Sequence, residues 1–167
     1  MSLSSAISNW NGKSADDIEE IYNHFYESKD FVNTLLELLV DNAYQVGSTW
    51  LLKHSFEKGN LISSSEVTQY YGVLYKLIYW EAKLHALQSF RYLPIANASV
   101  KLVENFLRIT LTDSNKFVRA WSYNGFYLLA KQYPSYQPEV EQFLNMGLVD
   151  EPPSVKARIR NILKVGF

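Results

Sequence analysis

Apolar residues recur at spacings of three and four along almost the whole chain from residue 15 onward, and no segment sustains the alternation typical of a strand. Spacings of three and four place apolar side chains on one side of a helix, whereas alternation would place them on one face of a sheet. With 47% hydrophobic residues, the chain of 167 residues is rich enough in apolar side chains to bury a core. The pattern therefore predicts an all-α fold.

Capping residues and helix breakers divide this periodic pattern into short helices. Ser14 precedes the acidic residue Asp16, which suits the positive end of a helix, so a helix is predicted over 15–27. Gly59 and Pro94 mark the ends of later helices, and the short connections indicate that consecutive helices lie side by side. The other predicted helices cover 31–41, 45–58, 65–79, 80–93, 97–112, 116–132, 137–148 and 153–165.

Three segments of the chain share one internal spacing. Each has a leucine, an aspartate two positions later, a valine seven positions after the leucine and a small residue two positions after the valine. The segments are Leu39, Asp41, Val46, Ser48; Leu111, Asp113, Val118, Ala120; and Leu148, Asp150, Val155, Ala157. A fourth segment, from Trp80, shares only the second half. The small residues at 48, 82, 120 and 157 are 34, 38 and 37 positions apart, a period typical of repeats made of two helices.

This pattern resembles the HEAT-repeat (armadillo-like) family. The second helix of such a repeat typically opens with Val-Arg, and the preceding turn carries an aspartate six residues before the arginine. Here Asp113 lies six residues before Arg119, and Asp150 lies six residues before Lys156. The resemblance implies an α-α superhelix, or solenoid. It also implies that these positions form a ladder of ion pairs and hydrogen bonds between neighbouring repeats.

The family pattern is incomplete in the first two repeats, because Gly47 occupies the basic position and no aspartate precedes Trp80. Overall the resemblance implies a single HEAT-like domain over 14–167, with the helix at 15–27 as an N-terminal cap. Residues 1–13 are expected to form a flexible N-terminus. The predicted repeats, about four helical hairpins, lie at about 30–58, 64–94, 97–133 and 137–165.

Basic residues concentrate in the predicted second helices, which the net charge of −1 conceals. These helices hold eleven Lys and Arg but only Glu57 and Glu81, a balance of +9 that leaves −10 for the rest. Second helices line the concave face in the family, so the resemblance implies a basic groove that attracts an acidic or amphipathic protein partner. Alternatively, these cations complement helix dipoles, belong to the ladder or keep a helix face hydrated. Both interpretations stay open.

Aromatic residues accompany the cations on the predicted helix 116–132. Tyrosine and tryptophan are favoured anchors at binding surfaces, although they are also typical of packing between helices. The buried face is predicted to contain Val118 and Phe126, which leaves Ala120 and Tyr127 on an opposite side with room for a ligand. The candidate partner-binding residues are Lys83, Arg119, Trp121, Tyr123, Asn124, Tyr127, Lys131, Arg158, Arg160 and Lys164.

No catalytic constellation is recognisable in the sequence. There is no cysteine, no phosphate-binding glycine loop and no nucleophile elbow, and the three histidines share no spacing suited to a metal. We therefore predict no catalytic residue, no cofactor and no metal, and a non-enzymatic scaffold that binds another protein. No membrane span or signal peptide is recognisable, which indicates a cytoplasmic protein without a membrane partner. The oligomeric state is left open.

Two further interpretations of function stay open. HEAT-like arrays include DNA glycosylases for alkylated bases, which hold damaged duplex in a basic groove with Trp, Asp and Arg residues. The resemblance thus implies nucleic-acid binding as the alternative, and Asp113, Arg119 and Trp121 lie close together in this sequence. The other interpretation is a degenerate domain of a larger assembly, docked through Trp10 and the outer tyrosines.

Overall fold

The computed structural model describes residues 1–167 as ten α-helices joined by short turns and 3-10 segments, with no strand. Helices account for 77% of the residues, which confirms the predicted all-α class. The helices are α1 (Leu3–Asn9), α2 (Ala15–Phe25), α3 (Phe31–Leu38), α4 (Gln45–Glu57), α5 (Ser64–Val73), α6 (Trp80–Ser89), α7 (Val100–Thr110), α8 (Lys116–Gln132), α9 (Gln137–Asp150) and α10 (Pro153–Val165). None of them combines the length and the apolar character needed to span a bilayer.

The chain divides into two compact units, and the first comprises Met1–Pro94. Within it α3 packs against α4, α5 packs against α3, and α6 packs extensively against α4. The apolar side chains that these helices share, including Leu35, Leu51, Leu52 and Leu87, are fully buried. Helices α1 and α2 pack against each other, with α1 also on α3 and α2 on α4.

The second unit comprises Ile95–Phe167 and is organised around α8, its longest helix. Helix α8 packs against α7, α9 and α10, and α10 also packs against α9. Apolar residues at helical spacing, such as Val118, Phe126 and Leu129 of α8 and Val155 and Ile159 of α10, are fully buried. Because α8 has neighbours on several sides, only a narrow part of its surface is exposed.

The first residues of the chain differ from the flexible segment that the sequence led us to expect. Ser2 caps α1 by accepting a hydrogen bond from the backbone N–H of Ser5 (3.1 Å), and Leu3, Ala6 and Ile7 are buried. Their spacing of three and four gives α1 one apolar face. Ile7 lies so close to α4 that a Cβ at Gly47 would stand 2.7 Å from its Cγ2. Gly47 thus permits this packing.

The aligned repeat positions do not all have equivalent surroundings. Leu39 and Leu111 each follow the last residue of a helix, whereas Leu148 lies inside α9. Leu39 is fully buried, but Leu111 and Leu148 are half-buried. Of the small residues, Ser48 is buried and Ala157 is exposed. The repeat alignment therefore predicts helix positions better than it predicts burial.

Candidate binding surface

The side of α8 that was expected to be open is largely covered by the end of the second unit. Ala120 and Tyr127 are both buried. The Tyr127 hydroxyl donates to the backbone carbonyl of Gly166 (2.8 Å), and the Tyr127 ring lies 5.3 Å from that of Phe167. Helix α10 and the residues after it therefore cover most of this side of α8, and Ala120 has no open space beside it. Tyr127 still lines a surface cavity of about 280 Å³, together with Leu144 and Phe167.

Two other candidate residues, Arg119 and Tyr123, are engaged within the second unit. The Arg119 Nε lies 3.1 and 3.2 Å from the carboxylate oxygens of Glu151, and its Nη1 donates to the carbonyls of Asp113 (2.9 Å) and Ser114 (3.2 Å). The Tyr123 hydroxyl donates to the same carboxylate at 3.2 Å. Burial, reinforced by Glu151, raises the pKa of Tyr123 and keeps it a neutral donor. These contacts give both side chains a structural role.

The partner of Arg119 is not the aspartate that the family resemblance implied. Asp150 is the last residue of α9, and the following residue, Glu151, forms the ion pair. The Asp113 carboxylate accepts a hydrogen bond from the backbone N–H of Asn115 at 2.8 Å, while the Asp113 carbonyl meets Arg119. Sequence reasoning missed Glu151, and the only signal for it was a carboxylate next to the aligned aspartate.

The exposed part of α8 is a narrow strip of side chains. Its members follow one another at spacings of four, three, four and three residues: Phe117, Trp121, Asn124, Leu128 and Lys131, here called the α8 strip. Lys116 and Gln132, at the two ends of the helix, are also exposed. Phe117 is 49% exposed, and the three central residues are half-buried. Such spacing keeps the side chains on one line along the helix, over a length of about 21 Å.

Arg158 of α10 extends the α8 strip sideways. Its guanidinium carbon lies 4.2 Å from the centre of the Trp121 ring, a cation–π contact between half-buried side chains. Two residues that the sequence proposed separately, Trp121 and Arg158, are therefore adjacent. The contact fixes the indole and leaves a positive charge beside it.

The remaining candidate residues lie elsewhere. Arg160 and Lys164 are exposed and four residues apart, on the side of α10 opposite its buried residues Val155, Ile159 and Ile162. Lys83 belongs to α6 in the first unit and is half-buried. The ten proposed residues therefore do not form one continuous set, and only Trp121, Asn124, Lys131 and Arg158 share a surface of the second unit.

Phe117 and Leu128 are the members of the α8 strip that sequence reasoning missed. Both lie at helical spacing from Trp121 and Asn124, so the signal was present. An apolar residue at such a position is usually assigned to the core, and only the packing of α7, α9 and α10 around α8 reveals which apolar residues stay outside.

All charged residues of α8 itself are positive. The 17 residues of α8 include Lys116, Arg119 and Lys131 but no Asp or Glu. The Lys116 and Lys131 ammonium groups lie over neighbouring rings, at 5.4 Å from Phe117 and 5.6 Å from Tyr127. Since Arg119 is neutralised by Glu151, the cations that accompany the strip are Lys116, Lys131 and Arg158.

The chain shows no arrangement of side chains suited to a metal, because no group of three or more His, Asp or Glu residues converges. All three histidines lie in the first unit. The Nδ1 of His85 lies 3.0 Å from the Thr49 hydroxyl, and burial lowers the pKa of His85 to about 4. His54 stacks on Trp50, and burial lowers its pKa as well. Both histidines are thus packed side chains.

Comparison with known proteins gives no relative for this chain. No protein-family model matches it, and neither the search of curated proteins nor the search of solved structures finds a match. The assignment of a function therefore depends on the residues and geometry described above.

Proposed function

We propose that the chain is a HEAT-like helical repeat protein that acts as a non-enzymatic adaptor. Two features support the repeat assignment. In each unit a second helix of the predicted repeats packs on the next one, α4 on α6 and α8 on α10. In each unit one side chain also joins the start of a second helix to the turn of the following helix pair, Gln45 in the first and Arg119 in the second.

The binding surface that we propose is the α8 strip with Arg158. The observation that carries the proposal is a line of partly exposed side chains, most of them aromatic or apolar, on a helix whose only charged residues are cations. Large aromatic side chains such as Trp121 and Phe117 contribute much contact area for little loss of conformational entropy. An exposed seam with alternating spacings of three and four suits the apolar stripe of a partner helix.

Charge defines the partner further. Lys116, Lys131 and Arg158 accompany the strip, so a partner with acidic residues beside its apolar stripe is favoured over a basic one. The protein partner is therefore an acidic, amphipathic segment. A length of about 21 Å corresponds to about four helical turns of that segment.

The test uses three synthetic peptides of about 21 residues. Two are helical with identical leucine positions and carry either glutamate or lysine at the polar positions, and the third is a scrambled version of the glutamate peptide. Fluorescence anisotropy at about 100 mM salt is expected to detect only the helical glutamate peptide. Arg158→Glu and Trp121→Ala should each weaken its binding about tenfold, equivalent to about 1.4 kcal/mol.

Arg160→Glu is the matched control, because it makes the same charge change on the far side of α10 and should leave binding within about twofold. An equal loss in Arg160→Glu would show attraction to overall charge and not to the strip. A duplex DNA measured in parallel addresses the alternative function. Its binding, with a steep loss of affinity on added salt and no selective peptide binding, would favour the nucleic-acid interpretation.

A further inference from the structure

The first unit contains a surface cavity of about 290 Å³ with an uncommon combination of side chains. It lies where the α1–α2 connection meets the beginnings of α4 and α6, and its walls include Trp10, Gly47, Tyr79 and Glu81. Glu81 is the only acidic or basic amino acid (Asp, Glu, Lys, Arg or His) among the lining residues. Its remaining walls are apolar side chains and neutral polar ones.

Trp10 and Tyr79 are the two aromatic residues that line this cavity. Neither ring stacks on another ring or lies beneath a cation. The Trp10 indole N–H donates to the carbonyl of Ser14 (2.8 Å), which holds the ring in place. Tyr79 is 43% exposed. A fixed indole and an accessible phenol are the components from which aromatic cation sites are built.

Glu81 lines the same cavity as these rings and has no partner from the chain. Its side chain is half-buried, and it makes no hydrogen bond or ion pair. The cavity therefore contains one unpaired negative charge.

The repeat alignment shows that the first two repeats lack the basic residue found at the same position in the later repeats. The position occupied by Arg119 and Lys156 in the later repeats is occupied by Gly47 and Glu81 in the first two. In the second unit Arg119 supplies a guanidinium that pairs with Glu151. In the first unit no cation of the chain lies among the residues around the cavity, and Gly47 carries no side chain that could supply one.

We propose that this cavity binds the side chain of an arginine from a partner protein. A guanidinium is planar and stacks on aromatic rings, and its fork of donors pairs with a carboxylate in two parallel hydrogen bonds. Trp10 and Tyr79 would flank the guanidinium, and Glu81 would accept its hydrogen bonds. An anionic ligand is disfavoured by Glu81, and a purely apolar one would leave the carboxylate buried and unpaired. This site belongs to the first unit and does not depend on the α8 strip.

The experiment titrates the full, ¹⁵N-labelled chain with the peptide Ac-Gly-Arg-Gly-NH₂ and follows amide and indole resonances. The Trp10 indole and the Gly47 amide are expected to shift and to saturate, with a dissociation constant of about 1 mM, as one side chain allows. Ac-Gly-Lys-Gly-NH₂ should bind at least about threefold more weakly, since ammonium lacks the planar fork. Ac-Gly-Gln-Gly-NH₂ should cause no saturable shift.

Two substitutions locate the site. Glu81→Gln removes the charge with little change of shape and should weaken the arginine peptide about fivefold or more. Glu20→Gln, an exposed residue of α2 without a partner, is the matched control and should have no effect. Resonances outside the cavity report that the variants fold. The proposal is overturned if no saturable shift occurs, if the lysine or glutamine peptide binds as tightly, or if Glu81→Gln binds like the unchanged chain.

Discussion

The two units hold consecutive helix pairs together by different chemistry. In the first unit Gln45, the first residue of α4, reaches the backbone of residues 76 and 78, just ahead of α6. In the second unit Arg119 of α8 reaches the carboxylate of Glu151, just ahead of α10. Each side chain joins the beginning of one helix to the turn before the next. One link is a neutral amide and the other is an ion pair.

The hydrogen bonds of Gln45 explain why this amide is completely buried. Its Nε2 donates to the carbonyls of Lys76 (2.8 Å) and Leu39 (3.1 Å), and its Oε1 accepts from the backbone N–H of Ile78 (3.0 Å). With both ends paired, the amide is buried without an unsatisfied polar atom. The same bonds explain why α5 ends at Val73 and not near residue 79 as predicted, because the extended backbone at Leu77 presents Ile78 to Gln45.

Burial distinguishes the two links. The side chains of Arg119 and Glu151 retain 21% and 12% exposure, whereas Gln45 has none. Removing two charges from water is expensive, so an ion pair is more easily retained where some solvent contact remains. The link in the first unit therefore depends on shape and on a complete set of hydrogen bonds, and the link in the second on electrostatics that salt can screen.

The largest effect is expected from Gln45→Ala. The substitution leaves the Ile78 N–H and the Lys76 carbonyl without their partner and opens space in a buried region. Unpaired buried groups cost about 1–3 kcal/mol each, so the free energy of unfolding should fall by about 4 kcal/mol. Urea unfolding at neutral pH measures it.

Gln69→Ala provides the comparison for this loss, since Gln69 is exposed on α5 in the same unit and should change stability by less than about 0.5 kcal/mol. Gln45→Glu separates hydrogen bonding from packing. Its carboxylate retains the shape but cannot donate to the two carbonyls, so it should be nearly as destabilising. A stable Gln45→Glu variant would contradict the role given to the Nε2 donors.

The second largest effect is a loss of stability at acidic pH, which we expect to come from His85 in the first unit. Burial lowers the pKa of His85 from 6.5 to about 4. Between pH 6.5 and 4, His85 is therefore protonated in the unfolded chain but neutral in the folded chain. The free energy of unfolding should therefore be constant above about pH 7.5 and fall between pH 6.5 and 4, by about 2–3 kcal/mol at pH 4.5. Urea unfolding at both pH values measures this difference.

His85→Asn tests the assignment, because asparagine can still donate to the Thr49 hydroxyl but does not titrate. This variant should lose most of the decrease between pH 7.5 and 4.5, apart from the share due to His54. The second unit has no histidine. Burial raises the pKa of Glu104, but hydrogen bonds from Tyr136, Arg108 and Lys101 outweigh it and lower the pKa below 4.5. Its contribution is lost only at lower pH, so an unchanged acid response in His85→Asn would refute the comparison.

How far the sequence predicts each link depends on the kind of residue involved. Arg119 was placed in a ladder because a cation at a repeated position is conspicuous, and only its partner was misassigned. Gln45 carries no such signal, since a glutamine at the start of a helix is ordinarily a surface residue and its partners are backbone atoms more than 30 positions away. Helix periodicity predicts the elements well, whereas the exposed strip of α8 depends on which neighbours surround it.

The smallest effect concerns the ion pair of the second unit. Arg119→Met should lower the free energy of unfolding by about 1.5 kcal/mol, between the values typical of buried and exposed pairs, because both partners are partly exposed. Glu151→Gln should lose somewhat less, since it retains a hydrogen-bond acceptor for Tyr123. A double-mutant cycle of the two changes, measured by urea unfolding, should give a coupling energy of about 1 kcal/mol that decreases at high salt.

Arg158→Ala is the contrasting variant within the same unit. Its cation–π contact with Trp121 is worth about 0.5 kcal/mol at a partly exposed site, so stability should change little. Arg119→Met should do the opposite. It should reduce stability but leave binding of the acidic peptide within about twofold, because the charge of Arg119 is already paired with Glu151.

Two outcomes would contradict the assignment of Arg119 to a structural role and of Arg158 to binding. One is that Arg158→Ala is as destabilising as Arg119→Met, and the other is that the coupling of Arg119 with Glu151 is absent. Arg158 would then belong to the packing of α8 against α10, and the α8 strip would lose the charge that selects its partner.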